Sequence, residues 1–199
     1  MASSAFRQAT GRSATVERLE QSLTTVLYAV AVIPEAWQFR KPADEADLDW
    51  LGEWSVAQNL AHLAVYEEQV AAPILEAIAA GRDGAAEVAS AIESDYEALW
   101  EALAARPMED IANRLSTARA RQVAAVAAMS DERFHALATT LWQGVAGAAR
   151  HSAAWVAAKT VQHTWEHGNS IFRFALFAPL DDTAWHTAPA TAADGIAGA

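Results

Sequence analysis

His163 and His167 stand four residues apart in the run His163-Thr164-Trp165-Glu166-His167. On a helix that spacing brings both imidazoles onto one face, about 5–6 Å apart at their Cβ atoms, so that both can reach one ion. The chemistry on offer is the binding of a divalent metal by neutral nitrogen. Pairs of this kind also occur incidentally on helices. Here the surrounding helix carries few charges, so two adjacent imidazoles need partners, and a metal is one that satisfies both. The chain has no cysteine, which excludes disulfides, thiolate ligands and a thiol nucleophile of its own. Any sulfur chemistry must take its sulfur from outside.

The histidine pair has to be held by helices. Nine glycines and six prolines in 199 residues, against abundant alanine, favour long helices over sheets. Apolar residues at Val16, Leu19, Leu23, Val26, Val30, Ile33 and Trp37 recur at three- and four-residue spacing and predict a first helix that Pro34 kinks or ends. A second helix opens at Ser55, with Gln58 as capping-box partner, carries Val56, Leu60, Leu63, Val70, Ile74 and Ile78, and stops at Gly81. A third is expected from about Ala85 to Ala105. A fourth starts at Pro107, with Glu109 and Asp110 at its positive end, and runs through Ile111, Leu115, Ala118, Val126 and Met129. Residues 130–149 read as a short helical or irregular crossover. The last helix, about Arg150 to Phe177, confines its charges to Lys159, Glu166 and Arg173. It is therefore expected to be largely buried, in its own chain or at a homodimer face. Residues 1–13 read as an N-terminal arm, 14–180 as one helical bundle and 181–199 as a tail.

The stretch that opens helix two carries a resemblance. Trp54-Ser55 at a helix start is followed seven residues after the serine by His62-Leu63, and preceded by a helix end Ile33-Pro34-Glu35-Ala36-Trp37. Together with His163-x-x-x-His167-Gly168-Asn169-Ser170-Ile171 on the last helix, this resembles the DinB/YfiT-like superfamily. The resemblance implies an all-α four-helix bundle with a crossover connection, in which His62, His163 and His167 hold a nickel, zinc or similar divalent ion. Relatives acting with mycothiol place a carboxylate where His163 stands; histidine at that position is the pattern of the YfiT-like branch, which includes enzymes joining bacillithiol-like thiols to electrophiles. The family name refers to DNA-damage induction and implies no DNA binding.

Three neutral nitrogen ligands leave a coordination position open, as catalytic sites do. Two reactions are therefore expected: transfer of a low-molecular-weight thiol to an electrophilic small molecule, or hydrolysis by an activated water. A non-catalytic metal-binding stress protein is the third reading. Glu67 reads either as a buried carboxylate paired with an arginine or as a group behind the ligands, acting as support or general base. Asn59 and Tyr66 flank His62 on its helix face, lining a pocket or edging the core. Glu166 is placed in the solvent strip. His135, His151 and His186 lack ligand spacing and read as surface or packing histidines. Eight tryptophans fill core space between small alanines or line an aromatic pocket.

The charge balance, 25 acidic against 14 basic residues for a net charge of -11, argues against nucleic acid and anionic membrane as partners. The apolar run Leu23 to Ile33 is too short to span a bilayer, and no signal-peptide pattern is seen. A cytoplasmic location is the expectation.

Overall fold

A computed structural model describes residues 11–44, 48–82, 96–140 and 149–178. Helix α1 spans Arg12–Val32 and is followed, across Pro34, by the short α2, Glu35–Gln38. Two 3-10 turns, Pro42–Asp44 and Asp49–Leu51, lead to α3, Val56–Tyr66. A π-helical turn, Glu67–Ala71, joins α3 without a break to α4, Ala72–Ala79. Then come α5, Tyr96–Ala104, α6, Met108–Ala128, the short α7, Asp131–His135, strands β1, Leu137–Thr140, and β2, Ala149–Ser152, and α8, Ala153–Phe177.

The long helices form the expected all-α bundle. Its apolar core falls into two clusters. One joins the C-terminal halves of α1 and α8 to the starts of α3 and α6, through Val26, Leu60, Leu63, Leu115, Ile171 and Phe174. The other joins the opposite ends, through Leu19, Ile74, Ile78, Val126, Phe134 and Val156. Hence α1 and α8 run one way, while α3–α4 and α6 run the other. Of the consecutive long helices, α3–α4 and α6 are parallel and need a returning connection, within which α5 packs on α3, whereas α6 and α8 are antiparallel and are joined at one end of the bundle by α7 and the β1–β2 pair.

Several boundaries differ from the sequence reading. Helix α1 begins at Arg12, whose guanidinium reaches Asp131 at 3.2 Å and the Ala127 carbonyl at 2.5 Å, and it ends at Val32 rather than continuing to Trp37. The second helix is interrupted by its π turn just before Pro73, a residue that lacks an N–H and crowds the preceding carbonyls; the widened turn accommodates it. Its end is as expected: Gly81, at φ 74°, lets Gly81 N–H reach the Ile78 carbonyl and Arg82 N–H the Ala77 carbonyl. The crossover contains an antiparallel strand pair, Leu137–Thr140 on Ala149–Ser152, that was not foreseen. Because Arg150 and His151 belong to β2, the last helix starts at Ala153, capped by the Ser152 hydroxyl. The first part of the expected third helix, residues 85–95, and the tail 181–199 lie outside the described residues.

The last helix is not largely buried within its own chain. Only the face bearing Val156, Ala157, Thr160, Thr164, Gly168, Ile171 and Phe174 is covered, while Trp155, Trp165 and Leu176 are exposed. Sparse charge was the misleading signal: an uncharged residue need not be a covered one. On the covered face α8 lies close to α1, for a Cβ on Gly168 would stand 3.1 Å from Val26 Cγ2.

Candidate metal centre

The start of α3 is fixed first. Ser55 Oγ accepts the Gln58 N–H at 3.1 Å, and Ser55 N–H donates back to Gln58 Oε1 at 2.9 Å, closing the capping box read from the sequence. Two turns on, His62 faces α8. Antiparallel packing pairs positions from the two helices in opposite order: Asn59 with His167, His62 with His163, Tyr66 with His163 and Thr160. The three histidines meet there.

His62 Nε2 lies 3.1 Å from His163 Nε2, so the two rings share one N–H between them. Ring centroids are 4.5 Å apart for His62 and His167 and 4.7 Å for His163 and His167. One nitrogen from each of the three lies within 4.8 Å of the others. Aromatic rings wall the cluster. Trp54 stacks on His167 at 5.5 Å and tilts over His62 at 5.1 Å; Tyr96 and Trp100 meet His62 edge-on, and Tyr66 meets His163 at 4.3 Å.

These walls set the electrostatics. Burial, helped by the neighbouring His167, lowers the His62 pKa to about 4. Burial, with His167, His62 and Lys159 adding to it, lowers that of His163 to about 2. His167 is also lowered by burial, with Glu166 pulling the other way. All three are neutral at pH 7, the state in which imidazole ligates metal. The Nδ1 atoms of His62 and His163 are buried and have no hydrogen-bond partner among the described residues. Three neutral imidazoles, each with a nitrogen within 4.8 Å of the others, fit a divalent ion and could hold one. From the side of His167 a cleft of about 260 Å³ opens to the surface, lined by Glu53, Trp54, Asn59, Glu166, His167 and Ser170.

Glu67 is the carboxylate the sequence singled out, and its oxygens are occupied elsewhere. It is fully buried and paired through both oxygens with Arg119, while Gln122 Nε2 donates to it at 2.6 Å. Arg119 also donates to the Leu19 carbonyl, to Ser22 Oγ at 2.8 Å and to Thr164 Oγ1 at 2.8 Å, and Thr160 Oγ1 donates to Gln122 Oε1 at 2.9 Å. This polar layer ties the four long helices together between the two apolar clusters. Burial raises the Glu67 pKa, opposed by Arg119 and Gln122. Sequence reading missed Arg119 and Gln122, although both sit on the stripe Leu115, Arg119, Gln122, Val126, where apolar residues belong. It also missed Tyr96 and Trp100 as walls; their four-residue spacing was the available signal.

The other histidines stay apart from the cluster. His135 is exposed, His151 stacks on Trp155 at 3.9 Å, and His186 lies outside the described residues. Glu166 is exposed and accepts from Gln162 at 2.6 Å. Of the tryptophans, Trp54 and Trp100 wall the histidines, whereas Trp50, Trp155 and Trp165 are exposed. No described helix is long and apolar enough to cross a membrane. Compared with known proteins, residues 18–171 match the family model of the DinB superfamily. No curated protein and no solved structure matches the chain significantly.

Proposed function

The chain belongs to the DinB superfamily, and on that premise we propose that it is a metal-dependent enzyme that transfers a low-molecular-weight thiol to an electrophilic small molecule. His62, His163 and His167 are the ligands in this reading, and nickel or zinc the ion. The observation that carries it is the donor set: three uncharged nitrogens within 4.8 Å of one another, with no carboxylate or thiolate among them. When bound there, a divalent ion held by neutral donors would keep its full charge and lower the pKa of a thiol or water beside it. The chain's own part is positional. Trp54, Trp100, Tyr96 and Tyr66 pack against the rings, and the cleft beside His167 is the approach for substrate in this reading. Because the chain has no cysteine, the attacking sulfur comes from the cosubstrate. Its sulfur–carbon bond forms as the bond to the leaving group breaks, and the thiol proton passes to solvent.

The test is a pair of assays on zinc- and nickel-loaded protein. One follows consumption of bacillithiol with a haloalkane or an aryl chloride; the other follows ester and amide hydrolysis without thiol. Thiol consumption that needs the metal is the expected result. Turnover in the second assay alone replaces the transferase with a hydrolase, and bound metal with turnover in neither leaves a metal-binding protein without catalysis.

A further inference from the structure

Asn59 is an odd residue for its place. It is 3% exposed, inside the second turn of a helix, where asparagine is a poor helix former and an apolar side chain would pack without needing partners. Its amide is nonetheless fully engaged. Nδ2 donates to the Ser55 carbonyl at 2.9 Å and to the Trp54 carbonyl at 3.3 Å. Those two oxygens are acceptors only, so the NH2 group must face them and the amide cannot be turned over. Oδ1 is thereby aimed at His167 Nδ1, 3.0 Å away. An amide oxygen has no hydrogen to give. The hydrogen between them therefore belongs to His167 Nδ1.

We propose that Asn59 is the positioning residue of the histidine cluster, locking His167 as its Nδ1–H tautomer so that Nε2 presents the free lone pair. This rests on the reading of the three histidines as metal ligands. The lock reaches back to the helix start: the capping box of Ser55 and Gln58 fixes the Ser55 carbonyl, that carbonyl orients the Asn59 amide, and the amide orients the ring. Trp54, whose carbonyl is the second acceptor, also stacks on the same imidazole with its planes 16° apart. His62 and His163 have no such device, since their nearest polar contact is with each other. Ligand imidazoles are commonly oriented by a hydrogen bond on their other nitrogen, and loss of that bond typically weakens metal binding about 10–100-fold.

The experiment compares the full chain with Asn59→Leu, which removes acceptor and donors at similar volume, and with Asn59→Asp, which keeps the acceptor and loses the donors. Histidine tautomers are read from long-range 15N–1H correlations in the metal-free proteins, zinc affinity by chelator competition, and stability by thermal unfolding. His167 in the unsubstituted chain is expected as the Nδ1–H form. Asn59→Leu should lose that preference and bind zinc about 10–100-fold more weakly, whereas Asn59→Asp should lower Tm yet keep the tautomer and affinity within a few-fold. An Nε2–H His167 in the unsubstituted chain overturns the proposal, and that measurement needs no variant to fold. So does zinc affinity in Asn59→Leu equal to the unsubstituted chain, or equal loss in both variants tracking Tm. If the unsubstituted chain binds no zinc or nickel while His167 is Nδ1–H, the metal reading fails and the tautomer lock stands.

Discussion

His62 and His163, 101 residues apart in sequence, meet Nε2 to Nε2 at 3.1 Å in the interior of the bundle. Neither ring carries a charge at neutral pH, and neither Nδ1 has a hydrogen-bond partner among the described residues. For folding alone this is a poor use of two half-buried side chains, because an unmet buried polar atom such as either Nδ1 costs about 1–3 kcal/mol. A third imidazole, His167, completes the group.

Removing one ligand should therefore be read in metal content, not in folding. His163→Ala and His167→Ala are expected to lower stoichiometric zinc or nickel at least about tenfold while circular dichroism stays helical, since chelation is lost and the core stripes are untouched. His135→Ala, on an exposed side chain away from the cluster, should leave metal content unchanged. Elemental analysis of untagged protein decides; full occupancy in His163→Ala would remove it from the ligand set.

Acid should act on the metal-free protein through the same residues. In the unfolded chain these histidines titrate near 6.5, whereas in the fold His62 titrates at about 4 and His163 at about 2. Between those values the unfolded state binds more protons, so their contribution to stability is fully present above pH 6.5 and is lost as pH falls towards 4 and below. The slope is on the order of 1 kcal/mol per pH unit for each histidine, reduced by their partial exposure to solvent. Urea midpoints from pH 8 to pH 4 check this. A curve flat between pH 6.5 and 5 would show that the two imidazoles are not held neutral.

How much of this was legible beforehand depends on the kind of residue. The bundle, its capped second helix and the Gly81 stop follow from local spacing and cap chemistry, which single residues announce. The family resemblance on Trp54-Ser55, His62 and the last-helix pair agrees with the match over residues 18–171. The strand pair had no comparable signal in its short sequence. The π turn did have one in Pro73, and Arg119 had one in breaking an apolar stripe. What spacing along a chain does not carry is which side chains meet across helices: that Asn59 faces His167, or that Glu67 is answered by Arg119 rather than by the histidines.

The buried polar layer makes a stability prediction. Arg119→Met leaves the Glu67 carboxylate buried without its cation, and should cost about 3–5 kcal/mol in urea unfolding. Adding Glu67→Leu to that variant removes the stranded charge and should recover a large part of the loss, because apolar pairs of similar volume often replace buried ion pairs at little cost. If Glu67→Leu alone is as costly as Arg119→Met and the double variant recovers nothing, the layer contributes through packing and not through the ion pair.

The reaction itself is separated by one pH series, run with and without thiol on metal-loaded protein and on His62→Ala. A free thiol ionises near roughly 8.5, and a thiol activated at the cluster should react with a rising limb well below that value. Activated water instead predicts turnover without thiol and a limb near about 7. The oxygens of Glu67 are held by Arg119 and Gln122, so Glu67 is not expected to act as the base in either reaction. The expected outcome is thiol-dependent turnover with a depressed limb, lost in His62→Ala. Thiol-independent turnover lost in the same variant would establish the hydrolase in its place. Equal thiol consumption by both proteins would take the histidine cluster out of the reaction, since only the bulk thiol's own ionisation would then set the rate.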